Sequence, residues 1–175
     1  MIRNTISIII LCIFSFFLIS SSCKEDPKPT LDAIGEFDWS AWTKVAGWTD
    51  YSASDYVPHS DIIVELSSII TTDHQFIIFG SNWCIVDCAT QMPRVKKLLT
   101  LSGVAEHNIK IIGINRDRNE PLNWMQKFYE WFPQIERIRV PTLIILKGET
   151  PIGYIKTETI DFPLWQEIII DVIKN

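Results

Sequence analysis

Apolar positions in this chain come in short blocks, and the spacing inside each block predicts its element. Phe76-Ile77-Ile78-Phe79 is an unbroken apolar run, the pattern of a strand covered on both faces. Ile109-Lys110-Ile111-Ile112-Gly113-Ile114 and Thr142 to Lys147 also read as strands, and Gly148-Glu149 turns the latter into a partner strand at Ile152–Lys156. Between these blocks the period lengthens to that of a helix. One helix is expected from Asp61 to Thr72, with Ile62, Leu66 and Ile69 or Ile70 on one face and Ser60 as its N-cap. Others are expected from Cys88 to about Leu101 and from about Pro121 to Phe132. A closing helix starts near Asp161 with Pro163 in its first turn. It turns Leu164, Trp165, Ile168, Ile169, Val172 and Ile173 inward, against Gln166, Glu167, Asp171 and Lys174 outward. Strand–helix–strand units followed by a hairpin and a helix predict an α/β fold, a central mixed β-sheet flanked by α-helices on both faces.

Upstream the pattern changes. Ile6 to Ile19 is a nearly continuous apolar stretch behind Arg3 and ahead of Ser20-Ser21-Ser22. That is the layout of a signal peptide over residues 1–22, and it falls short of the roughly 20 apolar residues of a membrane span. It resembles a bacterial lipoprotein signal, which implies cleavage before Cys23 and a membrane anchor through a lipid on that cysteine. Ser20 departs from this pattern, standing where such signals carry Leu. Lys24-Glu25-Asp26 is similar to the tract of some surface-exported lipoproteins. Ordinary secretion and an uncleaved anchor are the other readings. Residues 23–36, with Pro27 and Pro29 among mixed charges, are expected to be an extended, mobile tether. The domain then runs over residues 37–175. It opens on an aromatic-rich extension, 37–57, where Phe37, Trp39, Trp42, Trp48, Tyr51 and Tyr56 crowd together. Such rings serve either as a cover packed on the domain, the reading preferred, or as a binding platform for sugar or peptide.

Composition bounds the function. A chain of 175 residues with 47% hydrophobic content suits one domain plus appendages. Its net charge of −5 argues against nucleic acid as a partner. Every reading of the N-terminus places the domain outside the cytosol, in a cell envelope where disulfide chemistry is at home. His59 and His74 lie at element ends, where a histidine is expected to be solvated.

The chemistry concentrates where the first apolar strand meets the next helix, at Gly80-Ser81-Asn82-Trp83-Cys84-Ile85-Val86-Asp87-Cys88. Free N–H groups and the positive end of a helix dipole stabilise a thiolate, the reactive form of cysteine. Cys84 at the strand end is expected to be accessible, and Cys88, four residues on, to face the core. In a regular helix, Cα atoms four residues apart lie about 6.2 Å from each other, inside the disulfide window of roughly 4.4 to 6.8 Å.

From Asp61 to Asn175 the chain resembles the thioredoxin-fold family, in particular the thioredoxin-like lipoproteins of bacterial envelopes. The resemblance is carried by Trp83-Cys84 after a strand, Pro93 in the following helix, Val140-Pro141-Thr142 before a strand, and Lys147-Gly148-Glu149 as a hairpin turn. It implies a thiol–disulfide oxidoreductase in which Cys84 attacks, Cys88 resolves, and Trp83 with the cis-proline segment Val140-Pro141 receives the substrate. The partners implied are disulfide-bearing envelope proteins and an electron donor of unknown identity, and no cofactor is called for. Two positions depart from the family pattern. The cysteines have three residues between them instead of two, and Ile78 stands where thioredoxins carry a buried acid. Asp87 is expected to raise the pKa of a neighbouring thiol, which favours a reductase over a strong oxidant. Two alternatives remain open. One is copper handling of the Sco type, which a Cys-x-x-x-Cys pair resembles, although the downstream histidine, His107, is expected at the far end of the sheet. The other is a binding module with a structural disulfide. Arg116 and Arg118, after the strand at 109–114, are candidates for steering acidic partners or are simply solvated.

Overall fold

The computed structural model describes residues 31–48, 53–156 and 162–175. Strand β1 (Gly35–Phe37) leads into helix α1 (Trp39–Ala46). Asp38 starts that helix: its carboxylate accepts the Ala41 N–H at 2.7 Å, satisfying one amide that a first turn leaves unpaired. Gly47, at φ 70°, ends it in the left-handed conformation that glycine adopts without steric cost. Helix α2 (Ser60–Ile69), strand β2 (His74–Gly80) and helix α3 (Asp87–Leu101) follow. After a 3-10 turn at Glu106–Asn108 come strand β3 (Ile109–Gly113) and helix α4 (Leu122–Trp131). The hairpin of β4 (Thr142–Lys147) and β5 (Thr150–Lys156) precedes helix α5 (Phe162–Lys174).

The strands form one mixed sheet in the order β1-β3-β2-β4-β5. β2 and β3 run parallel, with Phe76 beside Ile109 and Gly80 beside Gly113, and the other pairs are antiparallel. β2 is central, and Phe76, Ile77, Ile78 and Phe79 are at most 2% exposed. Burial on both faces is why the sequence shows no alternation there. Successive strand residues point to opposite faces, so packing partners assign the helices to layers. On one face Met92 of α3 and Trp42 of α1 close over Gly80, and Val172 of α5 closes over Gly153. α2 packs along α5. On the other face Phe79 meets Trp124 and Phe128 of α4, and Phe132 lies 4.6 Å from the Tyr154 ring.

Several expectations are corrected. Ser60 is the first residue of α2 and not its cap; His59 holds the cap position, with no side-chain hydrogen bond. The helix stops at Ile69 because Ile70 is extended. Gln166, expected outward, is buried, since α5 is bounded by both β5 and α2 and needs a wider apolar face. His74 is buried too, with Nδ1 accepting the Thr71 N–H at 3.0 Å. The last part of the expected mobile tether is bound to the domain: β1 pairs with β3, and Ala33 donates its N–H to Asn82 Oδ1. Within the aromatic extension, Trp42 and Trp48 are core residues set edge-to-face at 5.4 Å. Tyr51 and the whole of residues 1–30, Cys23 included, lie outside the described residues.

Candidate functional site

Between the end of β2 at Gly80 and the start of α3 at Asp87, the chain makes a turn over Ser81–Val86. Two polar residues anchor this turn in the interior, Ser81 at 0% and Asn82 at 2% exposure. Burying an amide is tolerable only when its groups are paired, and Asn82 is paired twice. Its Nδ2 donates to the Leu31 carbonyl at 2.8 Å and its Oδ1 accepts the Ala33 N–H at 3.1 Å. The Cys84 N–H donates to the Ser81 carbonyl at 3.4 Å, and the Cys88 N–H donates to the Cys84 carbonyl at 3.2 Å. The extra residue between the cysteines is therefore taken up where the turn winds into the helix.

The two thiols are free and differ in environment. Cys84 is partly exposed, whereas Cys88 is fully buried. The Cys84 thiol is lowered to about 7, first because the Cys88 thiol donates to it. Backbone N–H groups of Cys88 and Asp87 add to this, and together these donors outweigh partial burial and the Asp87 carboxylate. Asp87 thus acts in the expected direction but does not set the outcome. Cys88 is pushed well above the ordinary thiol value, by burial first and then by Cys84. Its Sγ lies 4.0 Å from Ser81 Oγ. Ile78 is fully buried mid-strand, so no carboxylate stands at that position.

Val140-Pro141 is a cis peptide, and the Val140 carbonyl lies 3.7 Å from Cys84 Sγ as acceptor of its S–H. Trp83 carries the Arg118 guanidinium 5.7 Å from its ring centroid. Cys84, Cys88, Trp83 and the Val140-Pro141 peptide are thus brought together from two separate segments, and the Arg118 loop adds a third. Arg116 is committed elsewhere: its backbone N–H and Nε donate to Asp32 at 2.8 and 3.1 Å. His107 sits in the 3-10 turn before β3, at the opposite end of the parallel pair from Cys84. Among the described residues no group of three His, Cys, Asp or Glu side chains could hold a metal ion. Sequence reasoning missed Asn82 and Ser81. Asn82 bonds partners 49 and 51 residues away, a relation that no local spacing signals.

No family model and no curated protein matches the chain. Among solved structures it is similar to a protein of unknown function from Pseudomonas aeruginosa, at 18% identity and a TM-score of 0.43, over 78% of this chain and 81% of that one. It is also similar to an HIV epitope scaffold, at 20% identity and a TM-score of 0.46, over 78% and 87% of the two chains. Likenesses of this order bring no activity with them.

Proposed function

We propose that the chain is a thiol–disulfide oxidoreductase of thioredoxin-like fold that reduces client proteins in the bacterial envelope, anchored through a lipid on Cys23. The observation that carries this reading is the asymmetry of one thiol pair. Cys84 is partly exposed at the sheet end, while Cys88, one turn on, is fully buried and donates to it. A thiol whose pKa lies near the ambient pH, as at Cys84, combines a useful thiolate fraction with good nucleophilicity. The thioredoxin-like assignment is supported by the strand order, by Pro93 within α3, and by the cis Val140-Pro141 peptide ahead of β4.

In the proposed cycle the Cys84 thiolate attacks one sulfur of a client disulfide. A Cys84–client bond forms, and the other client sulfur leaves as a thiolate that takes a proton from water. Cys88 then loses its proton and attacks Cys84 Sγ. The Cys84–Cys88 disulfide forms, and the remaining client thiol departs. Two electrons pass from the pair to the client, and an external dithiol restores the pair. With Ile78 in place of an acid, the Cys88 proton passes to water or to Asp87, the exposed carboxylate beside it. The edge formed by Val140 offers backbone groups to an extended client segment.

Removing the resolving thiol tests the assignment. Cys88→Ser is expected to accumulate mixed disulfides through Cys84 in envelope extracts, and Cys84→Ser to accumulate none. Failure of either variant to trap a partner, with a wild-type disulfide that resists physiological reductants, would make the pair a structural staple. Tight Cu(I) binding lost equally in both variants would favour copper handling instead.

A further inference from the structure

Thiol chemistry at Cys84 leaves the loop after β3 without a role. Among the described residues, Arg118 is the one non-glycine residue at positive φ, 60°, a region disfavoured for any side chain with a Cβ. The loop is built to hold it there. The Arg118 N–H donates to the Asn115 carbonyl at 3.1 Å, and Asn115 Oδ1 accepts the N–H groups of Asn119 and Glu120 at 3.0 and 3.2 Å. The result lays the guanidinium against the Trp83 ring, next to Cys84 in the chain. A second segment also reaches Cys84. Arg137 and Arg139 are exposed on the stretch leading to Val140, whose carbonyl is 3.7 Å from Cys84 Sγ. Burial, followed by the positive charges of Arg137 and Arg139, holds the Arg118 pKa below the usual arginine range.

Several cations elsewhere are paired with carboxylates. Arg94 pairs with Asp55 at 3.0 Å, Lys110 with Glu36 at 2.7 Å, and Arg116 with Asp32 at 3.1 Å. Neither Arg118 nor Arg137 is paired with a carboxylate among the described residues. Two arginines without a carboxylate partner thus stand on the segments beside Cys84, in a chain whose net charge is −5. We infer that Arg118 and Arg137 form a carboxylate-binding rim beside Cys84, which selects disulfides carrying negative charge next to their sulfur atoms. Arg118 is the centre of the rim, because its guanidinium lies against Trp83, the residue before Cys84. This inference rests on Cys84 being the attacking thiol of the proposed function.

Rates of disulfide reduction by the reduced full chain test it, with three small probes at low ionic strength: anionic 3,3′-dithiodipropionate, neutral bis(2-hydroxyethyl) disulfide and cationic cystamine. The anionic probe is expected to react about tenfold faster than the neutral one, and the cationic probe slowest, with the spread collapsing in 0.5 M NaCl. The ratio of anionic to neutral rate is the readout, because the neutral probe already reports any change in the Cys84 thiolate. Arg118→Gln and the double variant Arg118→Gln/Arg137→Gln are expected to bring that ratio toward one. Arg94→Gln, which removes a cation already paired with Asp55, is expected to leave it as in the wild type. A parallel series with glutathione disulfide and with peptide disulfides flanked by Glu or Lys separates a small-molecule source of the carboxylate from a protein one. Equal rates for all three small probes would overturn the rim and leave the oxidoreductase reading standing. No reaction with any probe would overturn both.

Discussion

Cys84 and Cys88 are one side chain placed in two environments, and their difference is open to direct measurement. Thiolate is the species that alkylates, so the rate follows the ionised fraction. Because hydrogen bonds lower Cys84 to about 7, iodoacetamide should label the reduced protein with a rate that climbs through pH 7 and levels off above it. Cys88, buried and raised, should stay unlabelled over that range, so one equivalent reacts quickly. A midpoint near that of an ordinary thiol, or two equivalents reacting together, would contradict the asymmetry. The pair itself was legible in the sequence, because two cysteines at a strand-to-helix change are conspicuous. The direction of the shift was not. Asp87 is visible in the sequence and raises a thiol's pKa, whereas the donors that overcome it depend on how the turn winds.

At the scale of elements, the close approach of layers rests on glycines whose neighbours differ in how far they can yield. A Cβ at Gly113 would sit 2.2 Å from the Ala33 carbonyl oxygen and 2.9 Å from Trp42, and the first of these is backbone. At Gly80 it would meet Met92 Sδ at 2.5 Å, the end of a flexible side chain. Gly113→Ala is therefore expected to destabilise by roughly 3 kcal/mol or more and Gly80→Ala by about 1–2 kcal/mol. Urea unfolding of the two variants checks the order, and equal midpoints would show that the strap over β3 shifts freely. Strands such as β2 were legible because burial on both faces leaves an unbroken apolar run. α1 was not, although Asp38, Gly47 and the spacing of Trp39, Trp42 and Ala46 are helix signals. Its eight residues are too few for the period to stand out among the crowded aromatics. β1 is three residues long, too short to alternate legibly.

For the whole molecule, the residue that unites fold and site is Asn82, which joins the turn before Cys84 to the segment at 31–33. Asn82→Ala removes both bonds and leaves a buried backbone N–H at Ala33 unpaired, at a cost of about 1–3 kcal/mol. A fall in the urea midpoint with an unchanged slope would report that loss. An unchanged midpoint would show that the segment is held by β1 pairing and the Arg116–Asp32 contact without Asn82. The mixed sheet and its helical layers followed from the order of periodic blocks, but this long-range fastening had no local signature.

The same fastening fixes the direction from which the chain arrives. Residues 31–34 reach the sheet at the carboxyl ends of β2 and β3, the end that bears Cys84, because β1 enters antiparallel with Gly35 beside Gly113. With the lipid proposed at Cys23, eight Cα–Cα steps join that cysteine to Leu31, a leash of at most about 29 Å. Under the proposed anchor, attachment at this end would put Cys84 within that reach of the bilayer, and the disulfides it would meet are those of neighbours on the same surface.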